Sequence, residues 1–590
     1  MASGPGFGKK MSGAALVRHA LEQLPIRFTF GIPGVHNTEI YDELNRSDKI
    51  RPILVTHEGS AAFMADGVSR TSPGEIGCLV IVPAAGLTHA LSGIAEAFLD
   101  GIPLLVVSGG IRNDIRFGYQ LHEIDQLQIV AGVTKFARRI SRQQDVVSTI
   151  FEAYEAATTG VPGPAFVEVP VNTQLFLGDP GDVFAFVPVS ASEDVDEELI
   201  GRAAEILASA KKPGIFVGWG AVDVIPETQQ IAELLGAPVS TTLQGMSAFR
   251  GDHPLHAGMG FSKAAVPSAT KAFEGVDALL AVGTRFAEIP TGSFGCEVPE
   301  NLIHIDIDPQ VINRNYPAAV GIVADSRVAI PRLSARLRAM NLDCETRRQV
   351  TERQIAENKT SYRREWYEHA RKQSASRVNP ALFFDHLRDQ LDDNAIVTVD
   401  DGNHTFLAAE LFESRGPRQF ISPTDFNCMG YCVPAAIGAK LSNPDRQVVG
   451  IVGDGAFLMT ALESLTATTE KAGVVYFVFH DGELAQISQG QEIPYNQKTA
   501  TILGEIHIEG IATAVGAAYA AIECDDDIDR GIQHALDISS TGRPVIVDVK
   551  IDYTKRTRFT EGVVQTVLSR FPLGDRFRFV GRAVWRKLKR

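Results

Sequence analysis

Two acidic turns, spaced like the ends of neighbouring strands, carry the strongest chemical signal in this chain. Gly453-Asp454-Gly455-Ala456-Phe457 follows the apolar run VVGIV and precedes a helical pattern, LMTALESLTAT. Glycines at a strand-to-helix turn let backbone N–H groups close on a phosphate, and an Asp among them can hold a divalent cation that bridges the phosphate oxygens. Alone, such a turn often does no more than reverse the chain. Here a second follows: 25 residues after Gly455, His480-Asp481-Gly482-Glu483 ends the next apolar run, VVYFVF. The carboxyl ends of adjacent parallel strands lie close together, so Asp454 and Asp481 are placed to share one Mg²⁺ beside a diphosphate. His480 suits a structural role better, because hard Mg²⁺ prefers oxygen.

A third candidate is an acid. His57-Glu58-Gly59 follows the run RPILVT and precedes the helical pattern SAAFMADGVSR. A Glu at a strand end that faces a low-dielectric cleft can stay protonated near neutral pH and trade a proton with a ring nitrogen. By itself, such a Glu more often just complements a helix N-terminus.

Together these segments resemble the thiamine diphosphate (thiamine pyrophosphate) signature, which opens with GDG and closes with a pair of Asn at this distance. His480-Asp481 stands where Asn-Asn is usual; Asp keeps a hard oxygen at the second place, as in the catabolic acetolactate synthases. The resemblance, to the acetolactate-synthase-like family, runs from about 11 to 550. It implies metal ligation by Asp454, Asp481 and the backbone carbonyl of Glu483, with Gly453, Gly455 and Ala456 around the diphosphate. Asp400-Asp401-Gly402-Asn403-His404 resembles the DxGQH segment with Asn for Gln, which puts Gly402, Asn403 and His404 in the cofactor pocket. Asn427-Cys428-Met429-Gly430-Tyr431-Cys432-Val433-Pro434-Ala435-Ala436 resembles GTMGYGLPAA. The resemblance makes Met429 the prop under a bent cofactor and the backbone of Asn427 a partner of its aminopyrimidine; an ordinary core Met is the plain alternative. It makes Glu58, in its HE(Q/G)xAxxxAxGxxR context, the acid that hydrogen-bonds N1′ and favours the imino tautomer.

The hard chemistry in such enzymes belongs to the cofactor, which attacks a carbonyl and stores the resulting carbanion. The resemblance therefore implies a carboligase or decarboxylase acting on 2-oxo acids, a transferase or lyase that is acetolactate synthase-like. One alternative is a C–C lyase or non-ligating decarboxylase, for example on a 2-hydroxyacyl-CoA or a larger 2-oxo acid. Another is a catalytically degenerate structural paralogue, which His480-Asp481 favours and Glu58 disfavours. Family sites form across a subunit interface, which implies a homodimer or homotetramer.

Three places bear on the substrate. Gly31-Ile32-Pro33-Gly34-Val35-His36 resembles the GxPG loop beside the reacting carbon, so Ile32, Pro33, Gly34 and Val35 would line the pocket. His36 could donate to a carboxylate or hydroxyl, or simply sit on the surface. In Tyr119-Gln120-Leu121-His122-Glu123-Ile124-Asp125, the relatives' Gln three residues before Asp falls on His122; either His122 replaces it or Gln120 serves. The Trp that narrows the pocket of biosynthetic synthases, nine places beyond the second Asn, corresponds to Gly490. Gln486, Ile487 and Gly490 would then bound a space wide enough for an acceptor bulkier than pyruvate.

These groups need rigid strand ends. Apolar runs closing in Gly, Asp or Asn alternate with helical patterns along 590 residues, the pattern of buried parallel strands. The expected fold is α/β, with three doubly wound parallel-sheet domains: pyrimidine-binding over 11–185, central Rossmann-like over 195–345, and diphosphate-binding over 375–550. An acidic Pro/Gly stretch near 178–198 and a charged segment over 346–377, read as an exposed helix, form the seams. In the central domain the resemblance allows FAD, in a structural role. The flavin family's RFDDRVTG reads Arg285-Phe286-Ala287-Glu288-Ile289-Pro290-Thr291-Gly292 here, which weakens that case.

Composition excludes other classes. A net charge of −15 argues against nucleic-acid binding. Six cysteines without a CxxC pair argue against a disulfide framework, and no long apolar run suggests a span or leader, so a soluble, cytoplasmic protein is expected. The basic tail over 551–590 carries eleven basic and three acidic residues, interleaved with Phe, Val and Trp. It could form a lid, an anion dock, a membrane-surface foot or a segment packed on its own acidic protein.

Overall fold

The computed structural model describes residues 10–188, 194–372 and 376–588. Three six-stranded sheets, each wholly parallel, are built from the apolar runs of the sequence. The interior strands Gly77–Ile81, Leu104–Gly110, Ala278–Val282 and Val474–Phe479 are buried along their whole length, as expected where helices cover both faces of a parallel sheet.

The first sheet runs Arg51–Leu54, Phe28–Gly31, Gly77–Ile81, Leu104–Gly110, Pro164–Pro170, Phe136–Arg139. The third runs Phe420–Ile421, Ile396–Val399, Val448–Gly453, Val474–Phe479, Val545–Val549, Ala518–Ile522. Their chain orders are therefore identical, 2-1-3-4-6-5, whereas the central sheet follows 3-2-1-4-5-6. In each outer sheet the order reverses between its first and third strands, which are neighbours; ligands of open α/β sheets gather outside the carboxyl ends at such a reversal.

The outer sheets are joined helix to helix. Glu58–Thr71, buried throughout, lies along Cys432–Ser442. The backbones approach closely because Gly67 faces the carbonyl of Ala435 and Gly438 that of Met64, where any side chain would collide. At this seam Arg70 bonds Asp66 at 2.6 Å and Asp100 at 2.8 Å, all three side chains fully buried, and the Tyr431 hydroxyl donates to Asp66 at 2.6 Å.

The charged segment 346–377 is helical over Glu345–Lys372, but the expectation of a merely exposed helix is corrected. Ile355, Tyr362 and Trp366 are buried, and their spacing of seven and four residues puts them on one face against a core shared by the central and third domains. Three large side chains were enough to dock a helix whose overall composition is polar.

Beyond the third sheet, helix Arg558–Arg570 docks through Phe559, stacked on Phe406 at 3.9 Å. Helix Leu573–Leu588 lies on Ala485–Tyr495, with Arg582 and Arg586 over the Tyr495 ring, while Leu573, Phe577 and Val584 stay exposed. Among the described residues no helix is long and apolar enough to cross a membrane.

Removing Arg70 would strand two buried carboxylates. Arg70→Ala is expected to cost about 3–5 kcal/mol, read as a lower midpoint in denaturant unfolding; a midpoint within error of wild type would refute the role assigned to this seam.

Candidate active site

Strand Val448–Gly453 passes directly into helix Asp454–Thr460, so Asp454 sits at the switch point as the first helical residue. Its neighbour strand Val474–Phe479 is in register with it, Gly453 opposite Phe479, and delivers Asp481 alongside. The Asp454 carboxylate joins the two turns: Oδ1 accepts from Gly455 N–H at 2.7 Å, and Oδ2 from Gly482 N–H at 2.7 Å and Asp481 N–H at 3.2 Å.

Burial, and then the charge of Asp454, push the Asp481 carboxyl up to about 7; burial also raises Asp454. Two buried acids that resist ionising together are a donor set that a divalent cation relieves. The Gly482 carbonyl accepts from Leu503 N–H and that of Leu484 from Ser488 N–H, which leaves the Glu483 carbonyl without a backbone donor among the described residues. The Glu483 side chain is turned away, bonded to Lys498 at 2.6 Å. Among the described residues no three His, Cys, Asp or Glu side chains cluster as a metal site. The donor set thus fits a cation that takes its remaining oxygens from a diphosphate, the usual habit of Mg²⁺. His480 points elsewhere, its Nδ1 3.0 Å from Asp548, whose hydrogen bond and charge raise the imidazole's affinity for a proton.

One strand over, Asp400 is fully buried and accepts from the N–H groups of Gly430 at 2.9 Å, Asp401 at 2.9 Å and Cys432 at 2.8 Å, fixing the turn that carries Met429. Burial still pushes Asp400 up to about 7. Asp401 beside it has a buried Oδ1 with no partner and rises to about 6, also by burial. That acceptor lies next to Asn427, whose φ of 63° turns its backbone out of regular structure and whose side chain also interacts with the Asp401 carboxylate.

His404 is buried and accepts from Gly453 N–H at 3.3 Å; burial lowers it to about 3, so the imidazole stays neutral. Gly402, at φ +149°, must be glycine: a Cβ there would also meet the His404 ring at 2.6 Å. A further support was not visible in the sequence. Glu96, on helix Ala85–Asp100 of the first domain, accepts from the N–H groups of Thr424 at 3.1 Å and Cys428 at 3.0 Å, and so grips the loop of Asn427 and Met429 from the other domain.

Glu58 opens helix Glu58–Thr71, with His57 as its cap. Its carboxylate meets His89 Nδ1 at 3.0 Å, a neighbour the motifs did not single out. Within one chain, no hydrogen bond or ion pair among the described residues joins Glu58 to Asp454, Asp481, Asn427 or Met429.

The substrate candidates separate. His36 and His122 come together, Nδ1 to Nδ1 at 3.1 Å, and burial, with His122 close by, lowers the proton affinity of His36. Gln120 does not join them; its amide donates to the carbonyls of Arg112 and Phe117 in its own loop. Ile32, Pro33, Gly34 and Val35 form the turn that presents His36, held by Gly34 N–H to Asn37 at 2.7 Å. Gln486, Ile487 and Gly490 lie on helix Ala485–Tyr495; Gly490 is exposed, and a side chain there would meet nothing within 4 Å.

Comparison with known proteins agrees with this geometry. Three family models match: the thiamine pyrophosphate enzyme N-terminal TPP binding domain over 11–129, central domain over 200–333, and C-terminal TPP binding domain over 400–549. The chain is 31% identical to a probable acetolactate synthase large subunit of Methanocaldococcus jannaschii over 564 residues, 92% of each chain. It is 30% identical to the acetolactate synthase large subunit of Corynebacterium glutamicum, over 92% of this chain and 87% of the other. The chloroplastic acetolactate synthase of Arabidopsis thaliana is 30% identical over 91% of this chain and 81% of its own.

Because Asp400 is held near 7, against an unfolded value of about 3.9, the folded chain binds the extra proton between those limits. Its share of stability is full at low pH and falls as pH rises from about 4 to 7. Asp400→Asn does not titrate, so the stability gap between wild type and variant is expected to shrink from pH 4 to pH 8 in urea unfolding; a constant or widening gap would contradict this.

Proposed function

Because this chain belongs to the thiamine pyrophosphate enzymes of acetolactate-synthase type, a transferase or lyase class, we propose that it is a Mg²⁺- and thiamine diphosphate-dependent carboligase acting on 2-oxo acids. The observation that carries the proposal is the Asp454 clasp, in which one carboxylate accepts backbone N–H groups from both strand ends and so fixes them side by side. In this reading Asp454, Asp481 and the Glu483 carbonyl hold the cation, while Asn427, Met429 and Asp401 receive the aminopyrimidine. The bound cofactor supplies a carbon nucleophile and stores the electrons released on decarboxylation. Glu58 holds and moves the proton at the aminopyrimidine ring nitrogen, and the surrounding apolar walls exclude water.

Two copies complete the site. Leu458, Met459, Leu462 and Leu465 are exposed just beyond the cradle, and Leu54, Phe117, Tyr119 and Leu121 are exposed on the domain of Glu58. Apolar groups of this size on both halves suit a self-complementary interface that brings Glu58 of one copy to the cradle of another. The His36–His122 pair then takes the carboxylate of the donor, and the space at Gly490 takes the acceptor. That open position, with Arg582 and Arg586 on the adjoining helix, favours a second reading: cleavage or simple decarboxylation of a bulkier anionic substrate. A flavin has no part in the proposal, since no step of it requires redox chemistry.

Glu58→Gln is expected to lower kcat by about 100-fold or more while calorimetry still finds Mg²⁺-dependent cofactor binding; Asp454→Ala is expected to lose that binding. Cofactor binding that needs no Mg²⁺ would sink the cradle assignment. Product analysis by mass spectrometry with pyruvate, larger 2-oxo acids and 2-hydroxyacyl thioesters separates the two readings, and Gly490→Trp is expected to penalise the larger substrates most.

A further inference from the structure

Glu58 has a neighbour that none of the roles above uses. His89 stands one turn into helix Ala85–Asp100, which follows strand Gly77–Ile81, and helical side chains lean back toward the N-terminus. This places its Nδ1 3.0 Å from Glu58 Oε2. We propose that His89 is the positioning partner of Glu58: it grips Oε2, presents Oε1 to the cofactor, and shares a single proton with the acid. The inference rests on Glu58 being the acid of the proposed function.

Three features give His89 that task. On the Oε1 side stands Gly86, where a Cβ would lie 3.3 Å from the oxygen and 2.9 Å from Val82 Cγ2, so glycine keeps this face of the carboxylate open. His57 stacks on His89 with ring centroids 4.6 Å apart and 22° between planes. Its own Nδ1 accepts from Gly59 N–H at 3.1 Å, which fixes it as a neutral ring with its proton on Nε2. Two stacked imidazolium rings would repel, so this cap leaves His89 as the ring free to carry the charge. Finally, in the single chain the Glu58 side chain is 8% exposed and that of His89 48%, so the ring lies on the outer side of the acid.

The other nearby polar group is committed elsewhere: the Tyr41 hydroxyl donates to the Val80 carbonyl at 2.9 Å, and burial keeps it protonated. The proton balance is simple. With Glu58 ionised, the proton rests on His89 Nδ1; when it crosses to Oε2, imidazolium becomes imidazole and carboxylate becomes carboxyl. A Glu58 that has given up a second proton, from Oε1, can then take the ring's Nδ1 proton at its other oxygen, and the neutral imidazole left behind regains a proton from water.

The test compares His89→Ala, His89→Asn and Glu58→Gln in the Mg²⁺–cofactor enzyme. Asn can still donate to Oε2 but cannot deliver a proton. His89→Ala is expected to lower kcat on the order of tenfold to 100-fold, with KM for the 2-oxo acid nearly unchanged. His89→Asn should recover part of kcat at one pH yet lack the imidazole limb of the wild-type pH–rate profile. A readout independent of turnover is the hydrogen-bonded imidazole N–H proton in histidine-labelled apoprotein by NMR, expected in wild type and lost to solvent exchange in Glu58→Ala. An inactive Glu58→Gln beside a His89→Ala with wild-type kcat and pH profile would overturn the role of His89 alone. Full turnover in Glu58→Gln would overturn this inference together with the function it rests on.

Discussion

The structure of the cradle depends on one carboxylate accepting from the backbone of two loops. Asp454 spans Gly455, Asp481 and Gly482, and it can do so only because strands Val448–Gly453 and Val474–Phe479 are parallel, adjacent and in register to their last residues. A slip of one residue would turn every side chain of one strand to the opposite face and carry Asp481 away from Asp454. The strands' burial therefore has a chemical consequence: the apolar packing that fixes the register also sets the distance between two acids. Those acids are raised by burial and, at Asp481, by the other's charge, a condition that a positive charge placed between them would relieve.

The same logic runs between domains. Glu96 and the Asp66–Arg70–Asp100 group belong to the first domain, yet they bond the 422–431 loop of the third, which carries Asn427 and Met429. Buried charge at that seam is expensive unless fully satisfied, which makes the relative placement of the two domains specific rather than merely adhesive. Glycines at 67 and 438 bring the two helix backbones into contact, and Arg70 on the same helix reaches across to the third domain.

What the sequence made legible follows from periodicity and from strand-end motifs. The fully buried strands could be read as apolar runs, and the turns at 400–404, 453–457 and 480–483 stand where strand ends were expected. The strands that escaped reading are mostly edge strands, such as Phe136–Arg139 and His256–Met259, which are short and carry charged or small residues because one side meets no neighbour. Pro164–Pro170 is interior but is broken by Pro and Glu, and Glu168 is neutralised only in space, by Arg139 at 2.8 Å. Linear motifs likewise named His36 and His122 separately, while only the fold brings them to 3.1 Å and turns Gln120 aside. Glu96 and His89 carry no motif of their own; their importance comes from partners far away in the chain.

The departure at 480–481 shows how such a site absorbs substitution. The expected pair is Asn-Asn, and a His at the first place could have intruded as a nitrogen donor. Instead His480 is drawn to Asp548, on the neighbouring strand Val545–Val549, by a hydrogen bond that also raises its proton affinity. A charged imidazolium so placed faces Asp454 and Asp481 as well, and its positive charge lowers Asp454's resistance to ionising. His480, held by Asp548, thus brings a positive charge beside Asp454 and Asp481 and partly offsets them. Position 481 keeps a side-chain oxygen, and at 480 the ring's Nδ1 is engaged by Asp548.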